Sequence, residues 1–420
     1  MLFLLVLLTA AVAFAEHGTG FVPAQDATPL AAPALASAAP AVTFPQPLRE
    51  WTVMVFANGK NNLAGMVADS LKELEAAGSG AEVNVVAEIG LSQGQGEAGV
   101  PWNGVRRIYI ASAADRKSMS SVQLPVNSKT DMGNYRSLAR FGIWAKQNFP
   151  AKRYMFIITG HGQGVGGISP DDRTGHQISM KRLGKAMAAM GGVDVYVMES
   201  CLMQMAEVAY EIKDAAKLVI ASEEVIPLPG FNFRPSLNAL NANPRTSTEE
   251  TARVFLASLH ASIKVPDYAA GSEISTTLSA VDTKHMAELA AKIKAWSAVA
   301  MQASDAKYAL YWGLVDAPRY TEQSFYDLKG YVSAVGARTG DEALRAASAD
   351  LADFISKNIV IRAKNRHAET SGGISVFLPY NGRLALAYKR TAFSKASGWY
   401  DLLKWMVRNK VNIYNYQHKP

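Results

Sequence analysis

Two short apolar runs, each followed by a reactive side chain, constrain the fold of this 420-residue chain more than any other feature. Residues 154–158 (YMFII) lead into His161, and residues 193–198 (VDVYVM) lead into Cys201. Short runs rich in Ile, Val and Tyr are typical of buried strands in a parallel sheet. The carboxyl ends of neighbouring parallel strands share one sheet edge, where ligands bind in open α/β sheets. We therefore predict that His161 and Cys201 meet at that edge.

From residue 51 onward the chain alternates between strand and helix patterns. Strand-like runs cover residues 52–57, 83–89, 106–110 and 218–221, and helix-like runs cover residues 63–74, 135–149, 181–190 and 203–214. This alternation predicts an α/β fold, a three-layer sandwich with helices on both faces of a mostly parallel sheet. The later pattern is mixed, with predicted helices at 248–263, 285–299 and 399–406 and predicted strands at 275–281 and 373–378. We therefore divide the folded part into a catalytic core at 48–235 and a C-terminal α/β portion at 236–420.

The first 47 residues differ in composition from the rest. Residues 1–15 form an apolar run that ends in Ala13-Phe14-Ala15, which predicts a signal peptide cleaved after Ala15. The run is shorter than the ~20 apolar residues that a membrane-spanning helix needs. Residues 16–47 are dominated by Ala and Pro and predict a flexible linker. We expect a secreted or periplasmic protein with no membrane span after signal cleavage.

Composition narrows the classes of function. A net charge of +7 over this length is mild, and no Lys/Arg-rich run is present, so nucleic-acid binding is disfavoured. Cys201 is the one cysteine in the sequence, which excludes an intrachain disulfide. A buried inert cysteine is the common alternative for such a residue. Its position after a strand favours a nucleophile instead, and a helix beginning at Met203 is expected to lower the pKa of the thiol.

Two other interpretations of the same residues are weaker. Residues 162–167 fit the dinucleotide fingerprint G-x-G-x-x-G, but Ile168-Ser169-Pro170 follows where an apolar helix should begin. The remaining histidines show no zinc-ligand spacing, and one cysteine cannot complete a thiolate site. A thiol with a nearby imidazole favours nucleophilic catalysis, in which the thiolate attacks a carbonyl and the imidazole protonates the leaving amine.

An ordered set of short motifs resembles the clostripain-like cysteine peptidases, relatives of the caspase, gingipain and legumain group. The matching segments are residues 51–55, 61–63, 131–133, 161–164, 199–203, 207–211, 221–224, 278–282 and 373–379. The resemblance implies a caspase-like fold and a peptidase that cleaves protein or peptide substrates after Arg or Lys. It also implies a catalytic dyad of His161 and Cys201, and an oxyanion hole formed by the Gly162 and Cys201 amides. Glu199 would bind the basic substrate side chain.

The chain departs from the family pattern at several positions near these motifs. Glu199 stands where the family usually has Asp. Lys60 occupies a position where an Asp commonly precedes two Asn, and Val165 occupies a position where an aromatic residue often follows the Gly. These departures leave the choice between Arg and Lys open. The chemistry needs no cofactor, although family members bind Ca²⁺ and mature by self-cleavage. An exposed loop with Asp171, Asp172 and Arg173 is a candidate for processing.

A rival hypothesis is that the protein has the same fold but does not catalyse a reaction. A secreted scaffold that has lost catalysis would act as a binding protein, and it would carry the same sheet. The presence of both His161 and Cys201 favours the enzyme. Covalent labelling of Cys201 by an arginyl or lysyl electrophile distinguishes the two hypotheses. The oligomeric state is left open by the sequence.

Overall fold

The computed structural model describes residues 48–92, 103–111, 121–124, 126–263, 276–366, 368, 370–379 and 386–413. The predicted signal peptide and linker lie outside these residues. Among the described residues, no helix is both long and apolar enough to cross a membrane. The strands are β1 (Arg49–Gly59), β2 (Val83–Leu91), β3 (Gly104–Ile110), β4 (Ser121–Leu124), β5 (Ala151–Thr159), β6 (Ile168–Asp171), β7 (His176–Ile178), β8 (Val193–Glu199), β9 (Ala216–Ala221), β10 (Thr276–Asp282), β11 (Phe325–Asp327), β12 (Val360–Arg366) and β13 (Ser375–Phe377).

Nine of these strands form one mixed sheet in the order β12-β10-β9-β8-β5-β1-β2-β3-β4. The central pairs β9/β8, β8/β5, β5/β1 and β1/β2 are parallel. Antiparallel strands flank them on both sides, with β3 and β4 beyond β2, and β10 and β12 beyond β9. The residues after 235 thus contribute β10 and β12 to the same sheet, and the predicted division at that residue stays a prediction.

Helices cover both faces of the sheet. They are α1 (Ala64–Ala77), α2 (Tyr135–Asn148), α3 (Met180–Ala189), α4 (Ala206–Ile212), α5 (Phe233–Ala242), α6 (Thr248–Ser262), α7 (Met286–Gln302), α8 (Ala306–Asp316), α9 (Leu328–Arg338), α10 (Glu342–Phe354), α11 (Ala392–Ser397) and α12 (Trp399–Arg408). Local signals start several of them. Asn134, for example, caps α2 by accepting a hydrogen bond from the Arg136 amide at 3.0 Å.

Alternate residues of each central strand enter different cores, as the period of two along a strand requires. In β1, Val53 and Val55 join a core with α1, α5 and α6, whereas Met54 and Phe56 join a core with α2, α3 and α4. A third core is formed by the C-terminal helices, centred on Trp296 and neighbouring aromatic rings, and it also buries residues of α4. The predicted three-layer α/β sandwich with a C-terminal α+β portion packed on it is confirmed.

Candidate active site

The strand register brings the two reactive residues to one edge of the sheet. Thr159 of β5 lies opposite Glu199 of β8 in the parallel ladder, and the Gly160 amide donates to the Glu199 carbonyl at 3.2 Å. His161 and Cys201 each follow two residues beyond this pair. The structure therefore places both predicted residues just beyond the carboxyl ends of adjacent parallel strands.

Gly162 allows these two strand ends to approach closely. A Cβ atom at this position would lie 2.6 Å from the Cys201 carbonyl oxygen, a distance that no side chain could occupy without displacing the backbone. In the part of the chain that the structure describes, neither the Gly162 amide nor the Cys201 amide donates to a backbone carbonyl. The assignment of these two amides as oxyanion donors stays a prediction.

The His161 ring is held by a residue that the sequence analysis did not assign. Its Nε2 atom lies 2.6 Å from Oδ1 of Asn62, which follows the end of β1. An amide oxygen only accepts hydrogen bonds, so this contact keeps the proton on Nε2 and leaves Nδ1 as the basic atom. Burial lowers the pKa of His161, against an opposing effect of Asp172, and the neutral imidazole is therefore favoured.

The surroundings of Cys201 favour the thiol over the thiolate. Burial raises the pKa of the Cys201 thiol. The Ile226 amide donates to Sγ at 3.4 Å and lowers this pKa, whereas the carboxyl groups of Glu224 and Glu199 raise it further. The expectation that a helix amino terminus lowers this pKa is wrong, because α4 begins only at Ala206. These two pKa shifts favour a neutral thiol at Cys201 and a neutral imidazole at His161.

Glu199 is the last residue of β8 and is buried with an incomplete set of partners. The residue is 2% exposed, and its Oε1 atom accepts a hydrogen bond from the Phe231 amide at 2.5 Å. Oε2 makes no well-formed hydrogen bond within the described residues. Burial raises the pKa of Glu199 to about 8, against the opposing effects of the Phe231 amide and the Thr159 hydroxyl. The carboxyl is therefore largely protonated at neutral pH until a cation approaches.

A second carboxyl group, that of Glu224, lies beside the thiol and was quoted in the sequence motifs without a role. Its Oε1 accepts from the Val225 amide at 2.7 Å, and the Thr321 amide donates to both carboxyl oxygens at 3.2 and 3.0 Å. Burial raises its pKa, and these amides oppose that effect. Its position just after β9, the strand next to β8, was the available signal. Unlike Glu199, Glu224 is well supplied with donors.

The candidate processing loop is the tip of the β6–β7 hairpin, and its three residues differ in exposure. Asp172 and Arg173 are exposed, as expected. Asp171 is buried and forms an ion pair with Lys60, with Nζ and Oδ2 2.7 Å apart. The expectation that Asp171 is exposed is therefore wrong, because its carboxylate anchors the hairpin to the loop that follows β1.

Metal binding has no candidate residues here. Within the described ranges, no group of three or more His, Cys, Asp or Glu side chains could hold a metal ion. Calcium prefers six to eight oxygen ligands, and the residues of this site do not provide such a set. The expectation of calcium binding stays a prediction.

Fold and site together define the class: a caspase-like sandwich that carries a thiol and an imidazole at the carboxyl edge of its sheet. The model of the clostripain family matches residues 55–408. Because this match covers most of the chain, the protein belongs to the clostripain family. The family resemblance read from the sequence is confirmed.

Individual relatives are distant. Clostripain from Hathewaya histolytica is 23% identical over 229 residues, which are 47% of this chain and 44% of that relative. The chain thus spans less than half the length of this curated relative. A secreted C11 cysteine protease from Bacteroides thetaiotaomicron, solved with an irreversible peptide inhibitor, matches with a TM-score of 0.60 at 18% identity, over 84% of this chain and 99% of that chain. An inactive zymogen C11 protease from Parabacteroides distasonis matches with a TM-score of 0.59 at 17% identity, over 87% and 99%. These structural matches show the fold.

Proposed function

We propose that this protein is an exported cysteine endopeptidase that hydrolyses peptide bonds after Arg or Lys with a dyad of Cys201 and His161. The observation that carries the specificity is the buried Oε2 atom of Glu199, which lacks a hydrogen-bond partner among the described residues and lies two residues before the thiol. An unsatisfied buried carboxyl oxygen costs about 1–3 kcal/mol. A guanidinium or ammonium group would remove that cost, since it can donate to the free oxygen and stabilise the ionised carboxylate.

The proposed reaction begins with two neutral groups. Cys201 Sγ attacks the scissile carbonyl carbon while its proton moves to His161 Nδ1, and the Gly162 and Cys201 amides hold the oxyanion. His161 then gives this proton to the leaving amine, the C–N bond breaks, and a thioester remains on Cys201. A water molecule attacks the thioester as His161 accepts its proton. Collapse of the second intermediate releases the carboxylic acid and returns the thiol.

Glu199 is better suited than Glu224 to bind the substrate cation. Glu224 already accepts contacts from two backbone amides, whereas Glu199 accepts from one and has an oxygen to offer. Binding of a cation at Glu199 would ionise a carboxyl whose pKa is about 8 in the free protein. The preference for a basic residue therefore comes with an expected dependence on pH.

Export has independent support. Residues 1–15 predict a signal peptide, and a structurally similar protein, that of Bacteroides thetaiotaomicron, is described as secreted. Comparison of the N-terminal residue of the protein recovered outside the cytoplasm with Glu16 tests the predicted cleavage. A mature chain that still begins at Met1 would contradict it.

Activity is tested with fluorogenic peptides that end in Arg, Lys, Asp or Ala, under reducing conditions and with or without Ca²⁺. We expect cleavage after Arg or Lys that is absent from Cys201→Ala. The Arg to Lys ratio reports how the longer Glu199 side chain selects between them. A folded protein that cleaves none of these peptides and resists labelling at Cys201 would instead favour the silent binding scaffold.

A further inference from the structure

Asn62 provides the one side-chain hydrogen bond that His161 makes among the described residues. The 2.6 Å distance between Asn62 Oδ1 and His161 Nε2 is short for a nitrogen and oxygen pair. The imidazole can rotate about its side-chain bonds, and proton transfer with Cys201 requires one of its orientations. A fixed acceptor at Nε2 selects both the orientation and the tautomer that present Nδ1 as the base.

The Asn62 loop is itself fastened to the β6–β7 hairpin. Asn58 donates through Nδ2 to Ser169 Oγ at 2.9 Å and to the Pro170 carbonyl at 2.8 Å, and Asn61 Nδ2 donates to the same carbonyl at 2.9 Å. The hairpin also holds the histidine segment, because the Ser169 amide donates to the His161 carbonyl at 2.9 Å. Asn62 and His161 are therefore both anchored to one hairpin.

A buried ion pair strengthens this attachment. Lys60 Nζ lies 2.7 Å from Asp171 Oδ2 and donates to the Thr130 carbonyl at 2.9 Å, and both side chains are almost fully buried. The Asp172 amide donates to the Lys60 carbonyl at 3.0 Å. Lys60 is a position where this chain departs from the family pattern, and here its charge has a specific partner. The pair connects the residue two positions before Asn62 with the hairpin tip.

We propose that Asn62 is a positioning residue that orients the His161 imidazole for proton exchange with Cys201, and that the Lys60–Asp171 pair holds Asn62 in place. This inference rests on the proposed function, since it assigns roles around the same dyad. It explains why an exposed Asn sits against the imidazole and why a buried ion pair lies beneath the loop.

Variants of Asn62 test the first part. We expect Asn62→Ala to lower kcat by up to about 100-fold with little change in KM, because a misplaced base impairs chemistry and not binding. In Asn62→Asp a carboxylate would face the imidazole and, together with Asp172, raise the pKa of His161. With an Ala-ended peptide, for which Glu199 does not set the pH dependence, the acidic limb of kcat/KM would then move up by about one pH unit. Asn148→Ala is the matched control, because the side-chain hydrogen bond of Asn148 among the described residues stays within its own helix, from Nδ2 to the Trp144 carbonyl.

A second readout does not need turnover. Cys201 is the one cysteine of the sequence, so its alkylation by iodoacetamide can be followed by intact mass as pH varies. The inflection that disappears in His161→Ala belongs to His161, and Asn62→Asp should move it to higher pH. An unmoved inflection, with kcat of Asn62→Ala within twofold of wild type, would overturn the inference while leaving the proposed function intact. If wild type shows no turnover, the proposed function fails and the alkylation inflection alone decides the role of Asn62.

A charge-free replacement of the ion pair tests the second part. Lys60→Met with Asp171→Asn removes both charges together, which avoids a buried unpaired charge and keeps the fold accessible. We expect a several-fold loss of kcat, and no further loss when this double variant is combined with Asn62→Ala. Fully additive losses, or an unchanged kcat in the double variant, would contradict a role of the pair in holding Asn62.

Discussion

The ionisable side chains at the two edges of the parallel sheet differ in their pairing. At the amino edge, the lining of a cavity of about 750 Å³ includes Lys152 and Lys217, each of which forms an ion pair. Lys217 and Asp194 lie 2.7 Å apart there, and Lys152 and Glu50 lie 2.6 Å apart. At the carboxyl edge, Glu199 is buried with a carboxyl oxygen that has no partner among the described residues.

This difference in pairing indicates that the amino edge is a solvated surface and that the carboxyl edge is the candidate site. Buried polar atoms are nearly always hydrogen-bonded, and exceptions occur where function requires them. The amino edge has a cavity, but charged side chains in its lining pair with each other at the surface. The carboxyl edge combines a buried carboxyl, a thiol and an oriented imidazole within the ends of two strands. The buried carboxyl of Glu199, close in sequence to the thiol, therefore distinguishes the carboxyl edge from the amino edge.

The largest expected effect is at the dyad. Cys201→Ala and His161→Ala should each lower turnover by about 10⁴-fold or more, because neither the nucleophile nor the proton acceptor has a substitute. Circular dichroism and thermal unfolding should show a retained fold in both. Survival of peptide cleavage in both variants would remove the dyad assignment.

A smaller effect is expected at the carboxyl group. Glu199→Gln should lower kcat/KM for Arg and Lys peptides roughly 10- to 100-fold, which corresponds to the loss of a hydrogen bond to a charged group. An Ala-ended peptide should be unaffected. Asp194→Asn, a change of the same kind at the amino edge, is the matched control and should leave every peptide unchanged. Equal losses on basic and neutral peptides would argue against Glu199 as the substrate-binding residue.

The pH dependence should separate the pocket from the dyad. Glu199 is protonated in the free protein below a pKa of about 8, so kcat/KM for an Arg peptide should rise as pH increases toward that value. The lowered pKa of His161 and the raised pKa of Cys201 place the limbs of the dyad outside this range, at more acidic and more alkaline pH. Glu199→Gln should remove the rise for Arg peptides. A rise of the same size in that variant would assign it to another group.

The smallest effect is expected at the amino edge. Lys217→Ala breaks the pair with Asp194, in which Lys217 is 74% exposed. Exposed pairs contribute about 1 kcal/mol or less, so chemical denaturation should detect a slight loss of stability at most. Peptide cleavage should not change. A clear loss of activity would show that the two edges are coupled.

The sequence predicts the strands of the site well, because buried parallel strands leave a continuous apolar signal. β5 and β8 were predicted with their reactive ends in the right place. Helices packed in the third core were harder to predict from the sequence, and α8, α9 and α10 were not predicted. α8, for example, has apolar residues around much of its circumference, which gives no clear helical stripe.

The contacts and pKa shifts of individual side chains were harder to predict from the sequence than the strands. Asn62 contacts His161 across 99 positions of the chain, and only the arrangement of β1 beside β5 brings them together. The pKa of Cys201 was predicted in the wrong direction, since the start of α4 and the depth of the thiol depend on packing. Burial of Asp171 likewise depends on Lys60, a contact between distant loops.

The most direct test is the rate of covalent labelling of Cys201 by peptidyl chloromethyl ketones that end in Arg or Asp, followed by intact mass. Wild type should acquire one adduct, on Cys201, and the Arg reagent should react much faster than the Asp reagent. Glu199→Gln should reduce that difference, and Asp194→Asn should preserve it. No adduct on the folded, reduced protein, or equal rates for the two reagents in wild type, would contradict a basic-residue peptidase at the carboxyl edge of the sheet.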